Sequence, residues 1–108
     1  MIQRFCFVKL VDPGGRSESG PLHSRDEVTG REALAAKLRA ELVEAGADAV
    51  VGVPADASAQ RWDVSIVITA ASLEAWNALA QLPAMIGVFD DLAARADVVK
   101  AWTFQAVG

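Results

Sequence analysis

Hydrophobic and polar positions along the chain switch repeatedly between a period of two and a period of three to four, the signatures of strand and helix. Ile2 to Val11 splits into two faces, Phe5, Phe7, Lys9 and Val11 against Arg4, Cys6, Val8 and Leu10, and both are largely apolar. Such a strand suits the middle of a sheet covered on each side. Asp12-Pro13-Gly14-Gly15 ends it, and Asp12 to Val28 has no apolar period. At about 17 residues this loop is longer than most connections in compact domains. Thr29 and Glu32 form a capping-box pattern that predicts a helix start. Leu34, Leu38 and Leu42, with Ala35 and Ala45 beside them, make its apolar stripe, and Gly46 is placed to stop it.

Two strands follow. Ala49 to Val53 is a short apolar run ended by Pro54. After "ADASAQ", Arg61 to Thr69 alternates Trp62, Val64, Ile66 and Ile68 against Asp63, Ser65, Val67 and Thr69. Ser72 can cap a second helix bearing Leu73, Trp76, Leu79 and Ala80, which Pro83 breaks or restarts. The restart carries Met85, Phe89, Leu92 and Ala96 on one helical face. Val98 to Val107 closes as a strand, with Trp102 and Phe104 on one side and Val99, Ala101, Thr103 and Val107 on the other. The order strand, helix, strand, strand, helix, strand predicts a single α+β domain over residues 1–108 with a ferredoxin-like βαββαβ fold. Both helices then cover one face of a four-stranded antiparallel sheet. A second copy packed sheet against sheet is expected on the other face, giving a homodimer.

Three stretches resemble the stress-responsive dimeric α/β-barrel (Dabb) family, in which ferredoxin-like sheets pair into a barrel across a dimer. They are "MIQRFCFVKL", ending in the family's Lys-Leu; "RWDVSIVITAASLEAW", with Asp63 before an apolar strand and helix; and "DVVKAWTFQAV". The resemblance covers most of the chain outside the 12–28 loop. Members often have a His where Arg4 stands, and many show a Tyr-x-x-His-Pro-x-His run. Here "LAQLPAM" puts Leu79, Leu82 and Met85 in place of its Tyr, His and His and retains Pro83. Some members are cofactor-free cyclases that use such groups for acid/base work. This chain has no Tyr, and its one His lies in the loop, so that role does not carry over.

The remaining chemistry is sparse. His23 is either a proton-transfer group or a solvent-exposed loop residue without a role. Asp63 is either a functional buried carboxylate, or the partner of a basic group such as Arg4 or Lys9, or a group that meets water at a strand end. Cys6 reads as a packing residue, and Asp90-Asp91, about 100° apart on a helix, as a solvated face. Trp62, Trp76, Met85, Phe89, Trp102 and Phe104 either line an apolar pocket between sheet and helices, with Arg4 and Asp63 as its polar candidates, or simply fill the core.

Gly14 and Gly15 do not make a phosphate cradle. They are separated from the capped helix by Arg16 to Val28, and no Gly-Lys-Ser/Thr triplet occurs.

Composition narrows the classes. The chain is 53% hydrophobic and 22% charged, apolar for a small monomer that must cover its own surface. A net charge of -4 argues against nucleic acid or a polybasic membrane patch. One Cys and one His cannot supply a closed zinc site, and no cofactor is implied. No apolar run approaches the roughly 20 residues of a membrane span, and the N-terminus lacks a signal peptide's pattern, so a cytoplasmic protein is expected. Two readings of function follow. One is a homodimeric domain that binds a small hydrophobic ligand or serves structurally, without catalysis. The other is a cofactor-independent enzyme of the cyclase or small monooxygenase kind, assisted by Arg4, Asp63 or His23. A cavity of a few hundred Å³ reaching Arg4 or Asp63 favours the enzyme, and a filled interior the structural role.

Overall fold

The computed structural model describes residues 1–11 and 23–107. Gly14 and Gly15, read as ending the first strand rather than as a phosphate cradle, lie outside them. Strands β1 (Ile2–Leu10), β2 (Asp48–Gly52), β3 (Val64–Ala70) and β4 (Ala96–Gln105) form one sheet in the order β2-β3-β1-β4. Every pairing is antiparallel. Helices α1 (His23–Glu44), α2 (Leu73–Ala80) and α3 (Pro83–Arg95) complete it. This is the ferredoxin-like arrangement, with the second helix divided at Pro83.

As its two apolar faces predicted, β1 is a central strand, between β3 and β4, although within the chain only its helix-facing side is covered. Ile2, Cys6, Val8 and Leu10 are buried beneath the helices together with Val64, Ile66 and Ile68 of β3. Leu34, Leu38 and Leu42 of α1 and Trp76, Met85, Val88 and Leu92 of α2 and α3 close this core. Burying one such side chain as fully as Leu38 contributes about 2 kcal/mol.

Several boundaries differ from the periodicity, β2 by one residue at each end and three others more tellingly. Helix α1 begins at His23 rather than at the Thr29 capping box, so 23–28 is helix and not loop. The extra turns precede the Leu34, Leu38, Leu42 stripe, and a helical segment without an apolar stripe carries no periodic signal. Strand β4 starts at Ala96, two residues before Val98, and a register shift between Lys9 and Leu10 accommodates the join. Strand β3 starts only at Val64, and the chain bends at Asp63.

The Ser72 cap and the restart at Pro83 that the sequence suggested are both present. The Ser72 hydroxyl accepts from the Ala75 N–H at 3.0 Å, and Pro83 takes the first position of α3. At the end of α1, Gly46 has φ +96°, and the Gly46 and Ala47 N–H groups donate to the Val43 and Leu42 carbonyls. This is the six-to-one and five-to-two pairing of a Schellman stop.

Candidate functional site

The eight candidate residues do not form one pocket. A cavity of about 350 Å³ opens between the helices and the sheet, and Arg4, Trp76, Met85 and Phe89 line it. Strand pairing sets its floor. Arg4 lies opposite Thr103 and Ile68, and Cys6 opposite Ala101, so β1 and β4 point these side chains toward the helices. Its far wall is one face of α3, where Met85, Ile86 and Phe89 follow helical spacing. The cavity exists because β4 is an edge strand that the helix layer covers poorly, leaving Val99 41% exposed on that face.

Arg4 is held from two sides. Its Nη1 donates to Thr103 Oγ1 at 2.7 Å, and its guanidinium carbon lies 5.7 Å from the centre of the Trp76 ring. That separation is within cation–π range. Cys6, buried beside it, has its thiol pushed up by loss of solvent, an effect partly offset by the Arg4 charge. Such a thiol is a poor nucleophile at neutral pH.

Asp63 stands apart from this cavity. The carboxylate is buried, accepts from Arg31 Nε at 2.7 Å through Oδ1, and accepts from the Leu10 N–H at 2.8 Å through Oδ2. Its own N–H donates to the Val8 carbonyl at 2.8 Å. Asp63 is thus a clasp between α1 and the sheet. Its basic partner is Arg31, not the expected Arg4 or Lys9, because the bend turns the carboxylate toward α1. Among the described residues no buried side-chain polar atom lacks a hydrogen bond.

Trp62, Trp102 and Phe104 lie on the other side of the sheet, which corrects their expected place between sheet and helices. Pairing puts Trp102 opposite Phe5 and Phe104 opposite Gln3, and the bend at Asp63 sends Trp62 to Phe7 instead of continuing the Val64 face. Phe5 meets Phe104 edge to face at 5.5 Å, and Phe7 lies 5.8 Å from both Trp62 and Trp102. Phe5, Phe7, Trp102 and Phe104 border an open groove of about 540 Å³ along β1 and β4.

Asp90 is a cavity residue that sequence reasoning assigned to a solvated face. It lies at the exposed mouth, one position after Phe89, while Asp91 points away to Lys37 and Arg95 at 3.4 and 3.3 Å. The angle of about 100° between successive helical positions was the available signal. Of the residues replacing the Tyr-x-x-His-Pro-x-His run, Met85 lines the cavity, Leu79 packs against the core, and Leu82 is exposed. His23 opens α1 rather than sitting in a loop. Among the described residues no cluster of three or more His, Cys, Asp or Glu is placed to hold a metal, and no helix is long and apolar enough to cross a membrane. The lining can therefore bind and polarise an oxygen at Arg4, and it offers the Asp90 carboxylate at the mouth.

No family model and no curated protein matches the chain. Solved structures do. A dimeric protein of unknown function with a ferredoxin-like fold from Bacteroides fragilis superposes with a TM-score of 0.66 at 12% identity, over 97% of this chain and 95% of its own. SnoaB, a cofactor-independent oxygenase from Streptomyces nogalater, gives 0.62 at 11% identity, over 97% and 91%. A Dabb family protein with a ferredoxin-like fold from Mesorhizobium loti gives 0.56 at 11% identity, over 99% and 97%. At these identities the likeness is one of fold: the chain is ferredoxin-like over nearly its whole length, as the Dabb resemblance implied.

Proposed function

We propose that the protein is a homodimeric domain that binds a small hydrophobic molecule in the cavity between its helices and sheet. The observation that carries this is the cavity itself, about 350 Å³, walled by Trp76, Met85 and Phe89 and reaching Arg4. Its volume falls at the low end of the roughly 300–1,000 Å³ of small-molecule pockets, and an apolar wall with a few polar groups is their usual make-up. The interior is not filled, so a purely structural role loses its main support. The homodimer is supported by the uncovered aromatic face and by the dimeric description of the Bacteroides fragilis protein.

A second reading, a cofactor-independent enzyme acting on a hydrophobic or aromatic substrate, is the one that a cavity reaching Arg4 was expected to favour, and the fold shared with SnoaB also supports it. The lining weighs against it. No His or Tyr is among the described side chains that line the cavity, and burial pushes the Cys6 thiol up. Chemistry there would depend on the substrate's own reactivity.

The binding reading is tested with N-phenyl-1-naphthylamine, a neutral probe that fluoresces in apolar surroundings. Saturable binding is expected, with Ala101→Trp weakening it by about tenfold or more, as a well-packed ring blocking a small pocket should. Ala101 lines the cavity on an exposed strand, so the larger ring occupies ligand space rather than core. Absence of binding, or binding indifferent to Ala101→Trp, would contradict the assignment. Oxygen uptake or product formation with an electron-rich aromatic substrate would instead establish the second reading.

A further inference from the structure

Resting on the cavity's role as a ligand site, the chemistry of its one fixed cation narrows what it takes. The ion pairs among the described residues are Arg31–Asp63, Lys37–Glu41, Lys37–Asp91 and Arg95–Asp91, and Arg4 belongs to none of them. Thr103 occupies one of its five N–H donors, and Trp76 receives one face of the guanidinium. Those two contacts fix the orientation of the planar fork without neutralising it. A guanidinium so placed presents paired donors that match a carboxylate in a bidentate geometry.

The surroundings raise the worth of that match. Beyond Arg4 the inner wall is Cys6, Ile68, Trp76, Met85 and Phe89, which offers little competition for an anion. The positive potential reaches inward, because the same charge offsets part of the effect of burial on the Cys6 thiol. Asp90 at the mouth works the other way, since a second negative group on a ligand would face its carboxylate. Among the described residues the charged groups lining the cavity are thus the half-buried Arg4 cation and the exposed Asp90 carboxylate.

We infer that the cavity selects a small planar monoanion, an aromatic or conjugated acid whose carboxylate meets Arg4 and whose flat body lies along Trp76, Met85 and Phe89. Its neutral amide, and a diacid of the same body, bind more weakly.

The test titrates the full-length protein with 2-naphthoate, 2-naphthamide and 2,6-naphthalenedicarboxylate by calorimetry. The expected result is that 2-naphthoate binds about tenfold or more tightly than the amide, as charge-assisted hydrogen bonds outweigh neutral ones. Arg4→Gln should erase that difference by weakening 2-naphthoate binding far more than amide binding. Asp90→Asn should narrow the gap between the monoacid and the diacid. If amide and acid bind the wild type equally, the anion preference is wrong while the cavity stands as a ligand site. If neither they nor N-phenyl-1-naphthylamine bind, the ligand-site reading falls as well. Preference for the acid that survives Arg4→Gln would also overturn the inference, because the anion would then be held elsewhere. The acid and amide comparison is made on the wild type, so it does not depend on how well the variants fold.

Discussion

Arg4 and Cys6 are two positions apart on β1 and so share its helix-facing side, and each changes the other's chemistry. Burial pushes the Cys6 thiol up from its ordinary 9.0, and Arg4 draws it part of the way back. A thiol raised on folding contributes stability that is fully present below its unfolded value and is lost as pH rises through the folded one. The folded protein should therefore lose stability above pH 9.0 by more than a Cys6→Val variant does. Urea midpoints compared between about pH 8 and about pH 10.5 check this, and parallel losses in the two proteins would show that the thiol plays no part. Asp63 shows where reading at the residue scale stops. Its burial was one of the readings that the sequence left open, since an Asp beside an apolar strand can be paired, functional or turned to water at the strand end. Its partner was not, because Arg31 is brought to it only by the packing of α1 and by a bend that a strict alternation from Arg61 to Thr69 hides.

At the scale of elements, the parts that carry an apolar stripe were legible and the parts without one were not. Leu34, Leu38 and Leu42 gave the body of α1, and Pro83 gave the break between α2 and α3. Residues 23–28 bury no periodic face in the sequence, so the first turns of α1 read as loop. The end of α1 was legible for a different reason, since its stop depends on a backbone conformation that glycine adopts freely. An added Cβ at Gly46 would meet nothing within 4 Å, so the cost of Gly46→Ala is confined to the left-handed backbone at φ +96°. A loss of roughly 1 kcal/mol is expected. It would be read as a lower urea midpoint with an unchanged slope. A midpoint equal to the wild type's would mean that the stop is not held in this conformation. The faces of β1 were legible as apolar, but which aromatic joined which face was fixed by pairing. Trp102 and Phe104 follow β4 to the open side, and Trp62 reaches it through the bend.

In the whole molecule one sheet separates two apolar environments with different occupants. The helix side holds the core and a small cavity with a charged interior contact. The open side holds Phe5, Phe7, Trp62, Trp102 and Phe104, with Trp102 and Phe104 about half exposed and Val50 more so. Contiguous exposed aromatic surface of this kind marks an interaction face in a soluble domain, and edge-to-face ring pairs already hold it in shape before any partner arrives. A two-fold related copy would bury the same rings from both sides, which is the self-complementary geometry of an isologous interface. The chain's high apolar fraction, excessive for a monomer of this size, then has a structural cause. The most direct measurement is the mass in solution by light scattering at micromolar concentration. The account predicts a particle of twice the 11.4 kDa chain, converted toward the single-chain mass by Trp102→Asp; a wild-type protein that scatters as a monomer at that concentration would contradict it.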